Sequence, residues 1–375
     1  MYKRNPSYVI LFIALFSSFL FFSPSSAHNK SHQASSLHKS YKGIFSKIYA
    51  FGDSYTDTGN AQLLAGSSYT NKPINQSCDG RLVIDFLCES LSIPPLPPYK
   101  STSANFSSGV NFAVAGSSGF AGHKTSHPLI WKEESANLQT QVAWFKKFLE
   151  EVECKGKTTS SCQAELENAL FWIGPMGVDD YGHSIWSSIS HDMRLTEMSV
   201  HYICKLIQTL LDSGAKYIVV QGLPPVGCLP CGLSSSPMHD RDKTGCAATA
   251  NSAIMIHNQI LQKKLADFRT KYATRTILYA DYWNAYMTIL MNPTKFNFQE
   301  PFKACCGAGG GKLNFNFSLL CGSKGTSTCD DPGKYINWDG IHLTEAMYRQ
   351  LANLLLNQGF CQPVFDKLIQ NKSGM

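Results

Sequence analysis

The chain has 375 residues, 43% of them hydrophobic, and a formal net charge of +6. That is enough apolar material for one large core, and α/β domains of this size occur as single units. The charge is mild and no Lys/Arg block carries it, which argues against a nucleic-acid-binding protein.

From the start of the chain, Lys3 and Arg4 precede the apolar run Val9 to Phe22, and Ser25-Ser26-Ala27 offers small residues for cleavage. This reads as a secretory signal peptide over residues 1–27, because the run is too short to span a bilayer. Its removal takes away Lys3 and Arg4 and no acid, so the net charge falls from +6 to 6 − 2 = +4. No other stretch is long and apolar enough to span. Residues 28–46 are polar and Ser/His/Lys-rich, a loose lead-in to a single domain over 47–375.

Lys47 to Phe51 reads as a buried strand that ends in the turn Gly52-Asp53-Ser54. Arg81 to Leu91 has helical apolar spacing, and Pro94, Pro95, Pro97 and Pro98 stop it. Leu138 to Val152 is an amphipathic helix with Val142, Phe145 and Leu149 on one side. Ala169 to Ile173 is a strand, Val200 to Leu211 a helix and Tyr217 to Val220 a strand. Ile254, Leu261, Leu265 and Phe268 mark a long helix; Thr276 to Ala280 is a strand and Glu345 to Leu356 a last helix. Strands alternating with helices predict a parallel sheet covered on both faces.

Thirteen cysteines agree with an oxidising compartment. Cys154 and Cys162 flank a polar loop and can bridge locally. Cys305, Cys306, Cys321 and Cys329 crowd a Gly-rich segment with too little apolar surface to order itself. Connectivity does not follow from the sequence, and the odd count leaves a thiol over. Sequons stand at Asn29, Asn75, Asn105, Asn316 and Asn371.

Chemistry concentrates in two places. Ser54 follows a strand's carboxyl end, the place where open α/β sheets bind ligands. As a motif, Gly-Asp-Ser alone is more often a plain polar turn after a strand than a nucleophile. Near the other end, Asp339 stands three residues before His342. At that spacing a carboxylate can fix an imidazole's tautomer while the other ring nitrogen takes a serine's proton, which a hydroxyl needs to become a good nucleophile. Taken alone, the Asp339–His342 pair also fits simple loop hydrogen bonding.

Together, Phe51-Gly52-Asp53-Ser54 through Asn60 and Asp339-Gly340-Ile341-His342 resemble the plant GDSL esterase/lipase family of the SGNH hydrolases. Two further blocks fit in order: Gly109 to Gly116, and Ile173-Gly174-Pro175-Met176-Gly177-Val178-Asp179-Asp180-Tyr181. The resemblance runs from about Lys47 to about Cys361. It implies a three-layer α/β/α sandwich with a mainly parallel, flavodoxin-like sheet. It also implies a catalytic set of Ser54, Asp339 and His342, with no cofactor or metal. The implied oxyanion hole consists of the backbone N–H groups of Ser54 and Gly116 plus a side-chain amide in the block at Gly177.

That last position departs from the family. Where the pattern has asparagine, this chain has Asp179. Asparagine offers N–H donors, whereas an ionised aspartate only accepts. A protonated Asp179 could donate instead, and burial beside Asp180 would favour the proton. Three readings stay open. The first is a secreted or vacuolar carboxylester hydrolase acting on a small-molecule ester. The second is an acyltransferase that passes an acyl group, such as a hydroxycinnamoyl group, to an alcohol acceptor. The third is a non-catalytic glycoprotein.

Other motifs carry less. Cys228-Leu229-Pro230-Cys231 has redox spacing, but Pro224, Pro225 and Gly227 deny it the helix such a motif opens, leaving a structural disulfide role. Gly307 to Lys312 imitates a phosphate loop but lacks its first glycine, and Leu313 replaces the magnesium-binding hydroxyl. His123 and His127 lie four apart in a loop, not on a helix face. His257 lies along a core helix and is expected to be packed or surface-bonded, not catalytic.

Overall fold

The computed structural model describes residues 41–66, 77–119, 137–181 and 193–374, all within one unit, His38–Met375. The leader-like stretch, most of the lead-in, His123, His127, Asn29 and Asn75 lie outside the described residues. Five strands form the body of the sheet: β1 (Ile48–Phe51), β2 (Gly109–Asn111), β3 (Leu170–Ile173), β4 (Tyr217–Gln221) and β5 (Thr276–Ala280). They are parallel and lie in the order β5-β4-β3-β1-β2, with a short antiparallel strand, Cys361–Gln362, on the β5 edge.

Side chains alternate across a strand, so one sheet feeds two cores. Ile48, Ala50, Leu170, Trp172, Val219 and Leu278 join the core covered by helices Val83–Leu91, Tyr282–Leu290 and Glu345–Asn357. Tyr49, Phe51, Phe171, Ile173, Val220 and Tyr279 join the other, beneath helices Leu138–Phe148, Met193–Asp212 and Ala248–Lys271. Strands covered on both faces must be apolar on both, which is why they read as continuous apolar runs.

The strand order itself reverses between β1 and β3, where a flavodoxin-like sheet opens a crevice at its carboxyl end. Ser54 follows β1, and Asp179 lies in the helical turn that follows β3.

The structure corrects the sequence reading in several places. The lead-in is packed from Tyr41 onward: the Tyr41 N–H donates to Ser90 O at 2.8 Å, its hydroxyl donates to Leu356 O, and Phe45 is buried against Tyr217. The helix expected over Leu138 to Val152 is α-helical only to Phe148 and closes in a wider turn, Leu149–Glu153. Several helices escaped the pattern, three of them of nine residues or more. Thr159–Asn168 buries only Cys162 and Leu166, and Phe365–Ser373 only Phe365 and Leu368, too little for an apolar period. Glu345–Asn357 is therefore not the last helix. Tyr282–Leu290 is rich in aromatics, which lose rotamer freedom in helices, and the Asp281 side chain caps it.

Eight cysteines pair as Cys154–Cys162, Cys228–Cys246, Cys305–Cys329 and Cys306–Cys321. Cys228 thus finds Cys246, not Cys231. A short helix, Pro230–Ser235, does open inside the Cys228–Cys231 spacing, because Pro230 occupies the first helical turn, where no N–H is needed. His257 is fully buried and packed, its Nδ1 lying 3.0 Å from the Tyr181 hydroxyl.

Candidate active site

β1 ends at Phe51, and Gly52 turns the chain with φ 152°, where a Cβ would come within 2.9 Å of Thr56 Oγ1. The turn closes on itself: Thr56 and Asp57 N–H groups both donate to Asp53 O, and Tyr55 N–H donates to Asp53 Oδ1 at 3.0 Å. Ser54 projects from it, 8% exposed.

The histidine arrives on the loop before the Glu345–Asn357 helix. Asp339 Oδ1 accepts the N–H groups of Ile341 and His342, at 2.9 and 2.7 Å. Asp339 Oδ2 lies 2.8 Å from His342 Nδ1, and His342 Nε2 lies 2.8 Å from Ser54 Oγ. Burial alone would raise the Asp339 carboxyl. The charge and ring hydrogen bond of His342, with the two backbone donors, outweigh that and hold it below the usual carboxylate range. An aspartate that stays ionised keeps the Nδ1 proton toward itself and leaves Nε2 free to accept from the serine.

Residues 48–355 match the family model described as GDSL-like lipase/acylhydrolase. The chain belongs to this family. The Arabidopsis thaliana protein GDSL esterase/lipase At3g48460 is 41% identical over 354 residues, covering 88% of this chain and 90% of its own. A second Arabidopsis relative, GDSL esterase/lipase At5g45910, is 35% identical over 86% of this chain and 93% of its own. Acetylajmalan esterase 2 of Rauvolfia serpentina is 33% identical over 83% of this chain and 90% of its own.

In this GDSL hydrolase the serine turn is fixed by residues to which the sequence reading gave no role. Asp57 takes four backbone N–H groups, those of Gly59, Asn60, Ala61 and Ala115. Four donors on two oxygens suit a carboxylate, which only accepts, and they tie the serine turn to the loop holding Gly116. Asn60 Nδ2 donates to Asn111 O and Ala113 O, and Asn111 Nδ2 donates back to Thr56 O at 2.7 Å. Gly116 itself has φ 79°, the left-handed region that favours glycine. No acceptor among the described residues takes the N–H of Ser54 or of Gly116, so both are available to a ligand.

Gln141 supplies a second clamp. It is fully buried, its Oε1 accepts the Gly52 N–H at 3.1 Å, and its Nε2 donates to Gly52 O and Ser117 Oγ at 2.8 Å each. One signal could have found it: a polar residue on the buried face of the Leu138–Phe148 helix, beside Leu138 and Phe145. Gln141→Leu would orphan the Gly52 N–H and leave Gly52 O with the Val114 N–H alone. The expected cost is about 2 kcal/mol of stability, measurable by urea unfolding, since an unpaired buried group costs about 1–3 kcal/mol.

Tyr55 joins the two halves of the site. Its hydroxyl donates to Ile341 O at 2.5 Å, and its ring lies 5.5 Å from that of His342. Tyr55→Phe keeps the ring but frees the histidine loop. We expect kcat/KM to fall about tenfold, with about 1 kcal/mol of stability lost, from steady-state kinetics and thermal melts.

The cysteine-rich segment braces the same loop from behind: Cys305 N–H donates to Asn337 O and Cys306 N–H to Trp338 O. Its two disulfides therefore hold the strand that delivers Asp339.

Asp179 lies in the first turn of the helix that follows β3, partly buried, with its Oδ2 enclosed and without a hydrogen-bond partner among the described residues. Burial, then the charge of Asp180, raises its carboxyl to about 7, against the opposing pull of His342. Asp180 faces the other way, accepting the Gly119 N–H at 2.9 Å and the Ser199 hydroxyl at 2.7 Å.

Proposed function

We propose that this chain is a secreted enzyme that hydrolyses small-molecule carboxylic esters through an acyl-enzyme on Ser54, with His342 as general base and Asp339 orienting it. The observation that carries the reading is the 2.8 Å approach of Ser54 Oγ to His342 Nε2, with Asp339 2.8 Å from the other ring nitrogen. In this reading Ser54 Oγ attacks the ester carbonyl as its proton passes to Nε2. The oxyanion sits on the Ser54 and Gly116 N–H groups with Asp179 alongside. Collapse expels the alcohol, which takes the proton from His342, and water then repeats the sequence in reverse.

One observation favours a second reading, acyl transfer to an alcohol. A carboxyl at the third donor position holds the oxyanion poorly when ionised, which would slow attack by water and leave the acyl-enzyme for a bound alcohol. One relative is named for acetylajmalan, so an acetyl ester is the first substrate to try. The test is incubation with an acetyl ester, with and without glycerol, followed by mass spectrometry of the products. Free acetate in both, absent with Ser54→Ala, supports hydrolysis; acetylglycerol with little acetate supports transfer; serine-independent turnover overturns both.

The secretory route is supported by the leader-like Val9 to Phe22 stretch and by the four disulfides. No helix among the described residues is long and apolar enough to cross a membrane. Asn105 and Asn316 are exposed in loops and are the proposed glycan carriers. Asn371 is helical, with its Nδ2 donating to Thr276 Oγ1.

A further inference from the structure

Asp53, the residue before the serine, has one oxygen with a clear task and one without. Its Oδ1 accepts the Tyr55 N–H, while its Oδ2 is enclosed without a hydrogen-bond partner among the described residues. The same is true of Asp179 Oδ2. The two residues follow neighbouring strands: β1 and β3 pair in register up to Phe51 and Ile173, and the Gly174 N–H donates to Phe51 O at 2.8 Å. Asp53 lies two residues past the end of β1 and Asp179 six past the end of β3, in the first turn of the next helix. Two buried carboxyl oxygens with no donor, on segments leaving neighbouring strands, cannot both belong to bare anions, because an unpaired buried charge is far more costly than a neutral acid.

We propose that Asp53 and Asp179 act as one acid that keeps a shared proton, and that Asp179 presents this proton as the third donor to the oxyanion formed at Ser54. The inference rests on the acyl-enzyme reading above and adds to it a source for the donor that the family's asparagine supplies elsewhere. Asp53 is a positioning residue: it touches no substrate and acts by keeping its partner protonated. No bond to the proton breaks in the cycle; it is hydrogen-bonded to the oxyanion as the tetrahedral species forms and released when it collapses.

The surroundings favour the proton. Burial raises Asp53 well above the usual carboxylate range, and the charge of Asp179 adds to it, opposed by the Tyr55 N–H. Asp180 adds negative charge from the β3 side to both carboxyls; His342, held by Asp339, faces Asp179 from the opposite loop. Tyr282, from its own helix, and Tyr55 face Asp53. A buried carboxyl beside other carboxyls holds its proton more tightly than it would alone.

The test is the pH dependence of kcat/KM for 4-nitrophenyl acetate, from about pH 5 to about pH 9, in the parent, Asp179→Asn, Asp53→Asn and Ser54→Ala. The parent should lose activity on the alkaline side as the pair gives up its proton. Asp179→Asn carries a permanent N–H donor, so its alkaline limb should disappear and its activity relative to the parent should rise at least about tenfold across that range. Asp53→Asn should move the limb to lower pH. An infrared difference spectrum of the parent against Asp179→Asn at neutral pH should show a carboxylic-acid carbonyl band; this needs no turnover and no Asp53 variant. An unmoved limb in Asp179→Asn, or no acid band in the parent, overturns the inference. If instead Ser54→Ala retains turnover, the underlying acyl-enzyme reading has failed.

Discussion

Ser54→Ala is expected to lower kcat/KM for an activated ester by about 10⁵- to 10⁶-fold, the scale on which removing the nucleophile of a serine hydrolase acts. The size follows from the chemistry: without Oγ no acyl-enzyme forms, and what remains is binding plus whatever the backbone donors contribute to direct attack by water. The fold should be almost indifferent. Ser54 has a small side chain, and its Oγ makes one bond, to His342, which contributes about 1 kcal/mol net. His342→Ala should fall by a similar factor, and the double variant should lose no more than either alone, because the two groups act as one unit. Steady-state kinetics paired with melting curves check this; a loss that tracks unfolding, or a double variant that loses the product of the two effects, would argue against a shared step.

Asp57→Ala is expected to cost about 5 kcal/mol, enough to lower the melting temperature by about 10 °C. Four backbone N–H groups, at 2.6 to 3.0 Å, lose their acceptor at once, and each donor left unsatisfied costs about 1–3 kcal/mol. The Ala115 N–H is the important one for activity, because that bond aligns the Gly116 loop with the serine turn. Surviving folded protein should therefore show a lower kcat with little change in KM. Asp57→Asn keeps one accepting oxygen but turns N–H donors against N–H donors, so it should lie between the parent and Asp57→Ala. A melt of Asp57→Ala within a few degrees of the parent would refute the account.

Strand positions were legible because they are buried on both faces: Thr276 to Ala280 is strand over its whole predicted length, and Tyr217 to Val220 falls one residue short. The long helices were legible wherever one face is apolar over several turns. Helix Phe365–Ser373 was not, since two buried residues carry no period. Disulfide partners were not legible either. Cys228 lies 18 residues from Cys246 and three from Cys231, and chain spacing cannot say which thiol the fold brings close.

The sequence by itself determined the family, the alternating architecture and the residue types that carry chemistry, because these depend on local pattern and on identities at fixed offsets. It also marked Asp179 as a departure, since that is a change of identity. Only the tertiary structure decided which groups meet. Ser54 and His342 are 288 positions apart, and nothing local encodes their contact. Gln141, Asp57 and Tyr55 gain their tasks from partners supplied by other segments, and the unpaired oxygens of Asp53 and Asp179 become visible only once both are enclosed. Hydrogen bonding and desolvation depend on what surrounds an atom in space, and for these residues the surroundings come from distant parts of the chain.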